Sequence, residues 1–309
     1  MNPWYWLLLI PVAAVAGYSV FAGIKYTRLI SGIFLDLVFR PSPDAVEGSR
    51  GERITILDSS DREIQALFLE KKGSDRVMIF CHESGSAKES WEKYAYFFPA
   101  LGYHVLSVDL SDIPEDPVEN ALLQWPCGKE VDRLVTVIRW TKRAISQRAR
   151  VVLFGISNGA DLALSASLRE SSVEAVITDG LFSMKEIFRD YIRRWAPMLV
   201  RPNFFGEKYP FWVVNIFANL GFWYSQKRAG HEFVDVEALL RKKHVPLLMI
   251  HGEKDDYVPS SHQKVLEKIE GRKSAGRLVV EAAGHNEAVV QSRHSYEEQV
   301  KAFLTRCVR

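Results

Sequence analysis

The chain of 309 residues has few cysteines and no excess of charge of either sign. Its three cysteines, Cys81, Cys127 and Cys307, show no CxxC spacing, so the sequence predicts neither a disulfide framework nor a structural zinc site. The 40 basic and 38 acidic residues leave a net charge of +2, which argues against nucleic acid as a partner. Since 47% of the residues are hydrophobic, a well-cored fold is expected and extensive disorder is excluded.

Charge is also absent from the segment Pro3–Ile24, which is apolar throughout. At ~1.5 Å per residue a helix of this length measures roughly 33 Å, close to the ~30 Å hydrocarbon thickness of a bilayer. Aromatic residues at positions 4–6 suit the membrane interface. We therefore predict a single-pass membrane anchor over residues 3–24, in contact with the lipid bilayer.

Two alternatives to an anchor remain open, a cleaved signal peptide and a buried core helix. Small residues at 14–16 could form a cleavage site, but no Lys or Arg precedes the apolar run, as a signal peptide normally requires. Lys25, Arg28 and Arg40 follow the run. This basic flank favours a cytoplasmic location for the rest of the chain.

The remaining chain divides into short segments of distinct composition. Residues 1–40 are assigned to the anchor and a juxtamembrane segment, 41–53 to a linker rich in Pro, Gly and charge, and 54–309 to one domain. In that domain eight apolar runs read as strands: 54–57, 66–69, 77–81, 104–108, 151–154, 175–178, 247–250 and 278–280. Helical patterns cover residues 90–101, 128–146, 158–169, 260–270 and 292–307. This alternation predicts an α/β fold, a mostly parallel sheet with helices on both faces.

The sharpest local motif is Gly155-Ile156-Ser157-Asn158-Gly159, between an apolar strand and a helix. The pattern G-x-S-x-G in this context predicts a tight turn that exposes the serine hydroxyl. The helix N-terminus then presents backbone N–H groups to developing negative charge. Ser157 is therefore the candidate nucleophile.

A serine hydroxyl needs a base, and the base needs an orienting acid. Asp255 follows the strand at 247–250, and His285 follows the strand at 278–280. Since the carboxyl ends of parallel strands share one edge of a sheet, Ser157, Asp255 and His285 are expected to meet there. Asp256 and Asp179 are alternative acids.

An oxyanion hole is the remaining requirement of such a site. The strand at 77–81 ends in a loop of small residues, from which the backbone N–H of Ser84 could act together with that of Asn158. No metal or organic cofactor is expected. The thiol of Cys81 is interpreted as a buried strand residue, and the histidines other than His285 as structural.

These motifs resemble the α/β-hydrolase superfamily over roughly residues 50–305. The matching segments are FCHESGS at the oxyanion loop, GISNGA at the nucleophile, HGEKDDYVP at the acid and AAGHNE at the histidine. The resemblance is greatest to single-pass, membrane-anchored serine hydrolases, a group that includes protein depalmitoylases. It implies Ser157 as nucleophile, Asp255 as acid and His285 as base. One departure is Glu83, where the family usually has glycine.

An insertion over about residues 182–244 is rich in aromatic residues and arginine. In this family, chain at that position forms a cap. The aromatic residues are interpreted as the core of the cap, as the lining of an acyl-chain pocket or as contacts with the lipid headgroups.

The expected function is that of a membrane-anchored serine hydrolase acting on an ester or thioester with an apolar acyl group. A catalytically silent protein that binds a lipid or a protein is the alternative that Glu83 favours. A serine peptidase would use the same three residues.

Overall fold

A computed structural model describes residues 4–36, 49–58, 60–110, 125–203, 205–242, 245–271 and 276–308. Most of the predicted linker over residues 41–53 lies outside these ranges. The part of the chain after residue 110 that precedes residue 125 also lies outside them.

One eight-stranded sheet organises the chain, in the order β1-β2-β4-β3-β5-β6-β7-β8. The strands are β1 Glu52–Leu57, β2 Glu63–Leu69, β3 Arg76–Cys81, β4 His104–Val108, β5 Arg150–Ile156, β6 Val173–Asp179, β7 Leu247–Gly252 and β8 Gly276–Val280. The β2 strand pairs antiparallel with β1 and β4, and all other pairs are parallel. Each strand contains one of the predicted runs, so the mostly parallel sheet is confirmed.

Strand β3 shows how the sheet acquires two buried faces. Because successive side chains of a strand point to opposite faces, Val77 and Ile79 join one apolar core while Met78 and Phe80 join another. All four side chains are fully buried. Such a strand needs helices on both sides.

Ten α-helices accompany the sheet in the described ranges. They are α1 Trp4–Asp36, α2 Trp91–Tyr94, α3 Gly128–Ala144, α4 Asn158–Ser167, α5 Met184–Leu199, α6 Phe211–Ala229, α7 Val236–Lys242, α8 Ser260–Glu270, α9 Ala288–Gln291 and α10 Arg293–Cys307. Helices α3, α4, α8 and α10 confirm the helical patterns predicted over the same stretches.

The single helix predicted over residues 90–101 is wrong. The segment forms short turns of 3-10 helix at Lys88–Ser90 and Phe98–Leu101 with α2 between them. Pro99 has no N–H to donate to the carbonyl of Ala95, the C-cap residue of α2, so a continuous α-helix cannot form. Gly102 then ends the segment in the left-handed region, with φ of 85°.

Contacts divide the chain into two compact units, which are described separately. The larger unit contains the sheet and takes in residues up to Met184 and from His231 onward, whereas the smaller unit combines α1 with Lys185–Gly230. Within the predicted insertion, the smaller unit therefore takes α6 and nearly all of α5. Helix α7 belongs to the larger unit.

The smaller unit is held together by close contacts between α1, α5 and α6. The rings of Phe34 and Phe188 stack with centroids 3.7 Å apart. Gly221 of α6 lets the helices approach, since a Cβ there would lie 3.0 Å from Cγ2 of Ile30. The Ser225 hydroxyl donates a hydrogen bond of 3.0 Å to the Ser31 hydroxyl in this buried interface.

Helix α1 has two parts with opposite environments. Residues 9–21 are all exposed, whereas Tyr26, Thr27, Ser31 and Phe34 are buried. The stretch Leu9–Leu35 is long and apolar enough to cross a membrane, and only 6% of its most apolar window is buried. A core helix of a soluble protein would be mostly buried, so the exposed part of α1 does not fit that alternative.

Candidate active site

The turn between β5 and α4 has the shape that its two glycines predict. A Cβ on Gly155 would lie 2.1 Å from the carbonyl oxygen of Gly159, so only glycine fits at the first position. Ser157, between them, has a φ of 50°, a strained value for a residue with a side chain. The backbone N–H of Ser157 donates to the carbonyl of Asp179 at 2.8 Å, which ties the turn to β6.

The structure brings Ser157, His285 and Asp255 together. Ser157 Oγ lies 3.0 Å from Nε2 of His285, and Nδ1 of His285 lies 2.7 Å from Oδ2 of Asp255. Since a carboxylate can only accept, Nδ1 carries the proton and Nε2 is left to accept from the serine hydroxyl. The sequence-predicted Ser–acid–His set therefore forms one continuous hydrogen-bonded chain.

The loop after β7 fixes the orientation of Asp255. Its Oδ1 accepts from the backbone N–H groups of Tyr257 at 2.9 Å and Val258 at 2.6 Å, so the carboxylate is held at both oxygens. The side chain of Asp255 is 1% exposed, against 15% for His285. The ring of Tyr257 lies 4.9 Å from the ring of His285, a contact that the sequence did not predict.

Two other aspartates were candidates for the acid, and neither contacts His285 in this way. Asp256 is exposed. Asp179 is buried and accepts from the Tyr296 hydroxyl at 3.1 Å. Burial raises the pKa of Asp179 to about 6, although the hydrogen bond from Tyr296 and the charge of His285 oppose the shift.

Ser84 and Asn158 line the same small cavity, beside His82, Glu83 and Leu162. Asn158 directly follows Ser157 and begins α4, and Ser84 lies in the loop after β3. Their role as oxyanion donors stays a prediction.

The departure at Glu83 has a structural explanation. Oε1 of Glu83 accepts a hydrogen bond of 2.9 Å from the hydroxyl of Tyr94, which is fully buried. The other oxygen, Oε2, is buried and makes no hydrogen bond to any described residue. Tyr94 belongs to the apolar core that contains Met78 and Phe80, so the carboxylate is held on that face of the sheet.

A charged network that the sequence did not predict supports the loop after β3. His82 Nδ1 donates to the carbonyl of Glu83 at 2.7 Å, and Nε2 lies 3.2 Å from Oδ1 of Asp109. Burial alone would lower the pKa of His82, but the hydrogen bond and charge of Asp109 outweigh it and the pKa is raised. Lys88 Nζ completes the network at 2.7 Å from Asp109 Oδ2.

The described residues do not favour a cysteine nucleophile, a charged His251 or a metal site. Burial raises the pKa of the Cys81 thiol, which disfavours the thiolate that a nucleophilic cysteine needs. Burial lowers the pKa of His251 and favours its neutral form. In the described ranges no group of three or more His, Cys, Asp or Glu side chains is arranged to hold a metal ion.

Comparison with known proteins begins with sequence. No family model matches the chain. The protein YqkD of Bacillus subtilis is 24% identical over 247 residues, which are 78% of this chain and 75% of YqkD.

Solved structures give a broader match. The esterase Pf2001 of Pyrococcus furiosus superposes with a TM-score of 0.63 at 16% identity, over 88% of this chain and 99% of the esterase. The dienelactone hydrolase of Anabaena variabilis gives 0.55 at 18% identity, over 84% and 99%. The butyrate-bound esterase Est2 of Thermogutta terrifontis gives 0.58 at 15% identity, over 83% and 94%.

The likeness to these hydrolases extends over most of the chain, and the α/β hydrolase GrgF of Penicillium gives a similar TM-score of 0.59 at 15% identity, over 83% of this chain and 98% of GrgF. At such low identity it defines the fold, so the chain has the α/β-hydrolase fold that its motifs predicted. The narrower resemblance to depalmitoylases rests on the sequence motifs alone.

Proposed function

We propose that this chain is a membrane-tethered serine hydrolase that cleaves a carboxylic ester or thioester with an apolar acyl group. The observation that carries the proposal is the hydrogen-bonded chain from Ser157 through His285 to Asp255, with distances of 3.0 and 2.7 Å. The structural likeness to esterases supports an ester substrate.

In the proposed reaction Ser157 Oγ attacks the acyl carbonyl carbon while His285 Nε2 takes the hydroxyl proton. The carbonyl oxygen becomes an oxyanion, which the backbone N–H groups of Ser84 and Asn158 stabilise. The C–O or C–S bond to the leaving group then breaks, and His285 returns the proton to that group. Water, deprotonated by His285, hydrolyses the acyl-enzyme and regenerates Ser157.

The tether is proposed to be the exposed part of α1. Residues 9–21 present apolar side chains on every face of the helix, an arrangement suited to lipid on all sides. Lys25 follows this part, and we place the larger unit on the cytoplasmic side by the excess of basic residues there. Protease protection of the larger unit in sealed vesicles tests that orientation.

Labelling by a fluorophosphonate tests the nucleophile directly. The full chain should incorporate the probe at Ser157, and Ser157→Ala should abolish incorporation. The control Ser165→Ala, within helix α4, should retain it. Mass spectrometry of the labelled peptide identifies the residue. Incorporation elsewhere in Ser157→Ala would refute the assignment.

The leaving group is tested with one acyl chain carried on oxygen and on sulfur. Comparison of kcat/KM for the two substrates separates an esterase from a thioesterase. Absence of both probe labelling and turnover, in a folded protein, would favour the silent alternative.

A further inference from the structure

The smaller unit contains an apolar cavity that the proposed reaction does not use. It has a volume of about 170 Å³, is lined by α1, α5, α6 and the segment that joins α5 to α6, and is partly open at the surface. Ala22 and Ile33 of α1, Trp195 and Leu199 of α5, and Val213 of α6 are among its walls. All of its lining residues belong to the smaller unit.

The walls offer almost nothing for a polar ligand. None of the described residues that line the cavity is charged or a histidine. The hydroxyls of Tyr18 and Tyr26 donate to the Arg201 carbonyl, each at 3.4 Å, and the Tyr209 hydroxyl donates to Asn203 Oδ1 at 2.9 Å. These hydroxyls are thus bonded to the protein itself, and walls of this kind favour an apolar ligand over a polar one.

The cavity is also elongated. Its walls on α1 extend from Tyr18 to Ile33, which is roughly 22 Å of helix at ~1.5 Å per residue. A linear hydrocarbon chain can lie along walls of this length.

Both helices expose large apolar side chains, although α5 also exposes Arg193 and Arg194. Met198 of α5 is 63% exposed, and Phe211 and Trp212 of α6 are 66% and 63% exposed. Helix α6 has no charged residue before Lys227. Exposed apolar side chains of this kind mark contact with a membrane or an apolar partner. A hydrocarbon chain of a bilayer that touches them would meet this cavity without crossing water.

We propose that this cavity binds a single acyl or alkyl chain of a lipid. The chain is an acyl chain of a bilayer phospholipid, and occupancy by the acyl group of the substrate is an outcome that the test distinguishes from it. Binding depends on the walls of the smaller unit and not on turnover at Ser157.

Photolabelling of the full chain in phosphatidylcholine vesicles tests the proposal. The two probes are a fatty acid with a diazirine on its chain and a phosphatidylcholine with the same group on one acyl chain. We expect crosslinks on peptides that contain Ala22, Trp195 and Val213. Ala22→Phe, which places a ring inside the cavity, should reduce these crosslinks about tenfold, since the ring occupies space that the hydrocarbon chain needs.

Matched variants separate loss of the cavity from loss of the fold. Ala16→Phe adds the same ring on the exposed part of α1 and should leave labelling unchanged. Val213→Phe fills the cavity from α6, whereas Ile216→Phe alters an exposed position of that helix. Circular dichroism and thermal melting confirm that each variant is folded. Crosslinks spread evenly over the exposed faces, or unchanged in Ala22→Phe and Val213→Phe, would overturn the proposal.

The two sources give different results. If the phospholipid chain occupies the cavity, its probe labels the walls and the ester chain-length preference is the same in Ala22→Phe and Ala16→Phe. If the substrate's acyl chain occupies it, Ala22→Phe shifts the preference toward shorter esters, which would overturn the phospholipid assignment. This outcome rests on the proposed function. Photolabelling does not require catalysis, so it can be repeated in Ser157→Ala. Its result therefore tests lipid binding even if the hydrolase proposal fails.

Discussion

Gly159 lies so close to Cys81 that a Cβ on Gly159 would stand 2.1 Å from the Cys81 carbonyl oxygen. The contact joins the end of β3 to the first turn of α4, on either side of the candidate nucleophile. Because the obstructing atom belongs to the backbone, it cannot rotate away. The second glycine of the G-x-S-x-G motif is therefore required by packing, independently of any turn conformation.

Gly159→Ala should destabilise the protein by about 3 kcal/mol or more and abolish activity, because β3 and α4 must separate to admit the methyl group. The matched control is Gly128→Ala, where the nearest atom to the added Cβ, the Glu232 carbonyl oxygen, is 3.9 Å away. Chemical denaturation measures both. Equal stability of the two variants would contradict the packing argument.

The acid assignment is tested by two neighbouring aspartates. Asp255→Asn replaces an acceptor by an amide that can donate to Nδ1 of His285, which favours the wrong tautomer, and should lower kcat by about 10⁴-fold. Asp256→Asn changes an exposed side chain and should leave kcat within a factor of about two. Steady-state kinetics on one ester gives both values. A comparable loss in Asp256→Asn would contradict the assignment.

The buried Asp179 predicts a specific pH dependence of stability. Its pKa of about 6 in the folded state exceeds its ordinary value of 3.8, so the folded state binds the proton more tightly than the unfolded state. The stabilisation is present below pH ~4 and is lost as the pH rises through ~6, about 3 kcal/mol in total. Asp179→Asn cannot ionise and should escape this loss.

Denaturant unfolding at pH 4 and pH 7 measures the effect as a difference between Asp179→Asn and the parent chain. That difference should change by about 2 kcal/mol in favour of the variant between pH 4 and pH 7, because Asp179 is already partly ionised in the unfolded state at pH 4. Tyr296→Phe removes the hydrogen bond that lowers the pKa of Asp179. The free energy of unfolding of this variant should therefore fall more steeply with rising pH than that of the parent chain. Parallel curves for all three proteins would contradict the role of Asp179.

The sheet and the site were predictable because their signals are local. Short β-branched runs mark the strands, and Ser157, Asp255 and His285 each follow a strand whose carboxyl end reaches the same edge. The pairing of His82 with Asp109 was not predictable, since it depends on which strands neighbour each other. The break in the helix predicted over residues 90–101 was, by contrast, predictable from Pro99, a local signal that the prediction passed over.

The division of α1 into an exposed and a buried part was not predictable either. The same apolar residue types occur in both parts, so the sequence does not distinguish them. Phe21 is 59% exposed, whereas Phe34 is 1% exposed and stacks on Phe188. Only the fold distinguishes the two. Removing the chain up to residue 36 would therefore remove part of the core of the smaller unit along with the proposed tether.

A matched pair of substitutions in the full chain tests this division. Phe34→Ala should destabilise the smaller unit by about 3–5 kcal/mol, because it deletes a buried aromatic side chain. Phe21→Ala lies on the exposed part and should change that stability by less than about 0.5 kcal/mol. Hydrogen exchange of α5 and α6 peptides reports on the smaller unit alone.

Vesicle flotation gives the complementary result. Removing residues 1–20 should weaken flotation strongly and leave exchange in α5 and α6 unchanged, because the residues removed include the exposed part of α1 and exclude Tyr26, Ser31 and Phe34. Phe34→Ala should show the reverse pattern, with flotation retained and exchange accelerated. If removal of residues 1–20 left flotation intact, the exposed part of α1 would not be the tether, and the apolar faces of α5 and α6 would have to account for membrane binding.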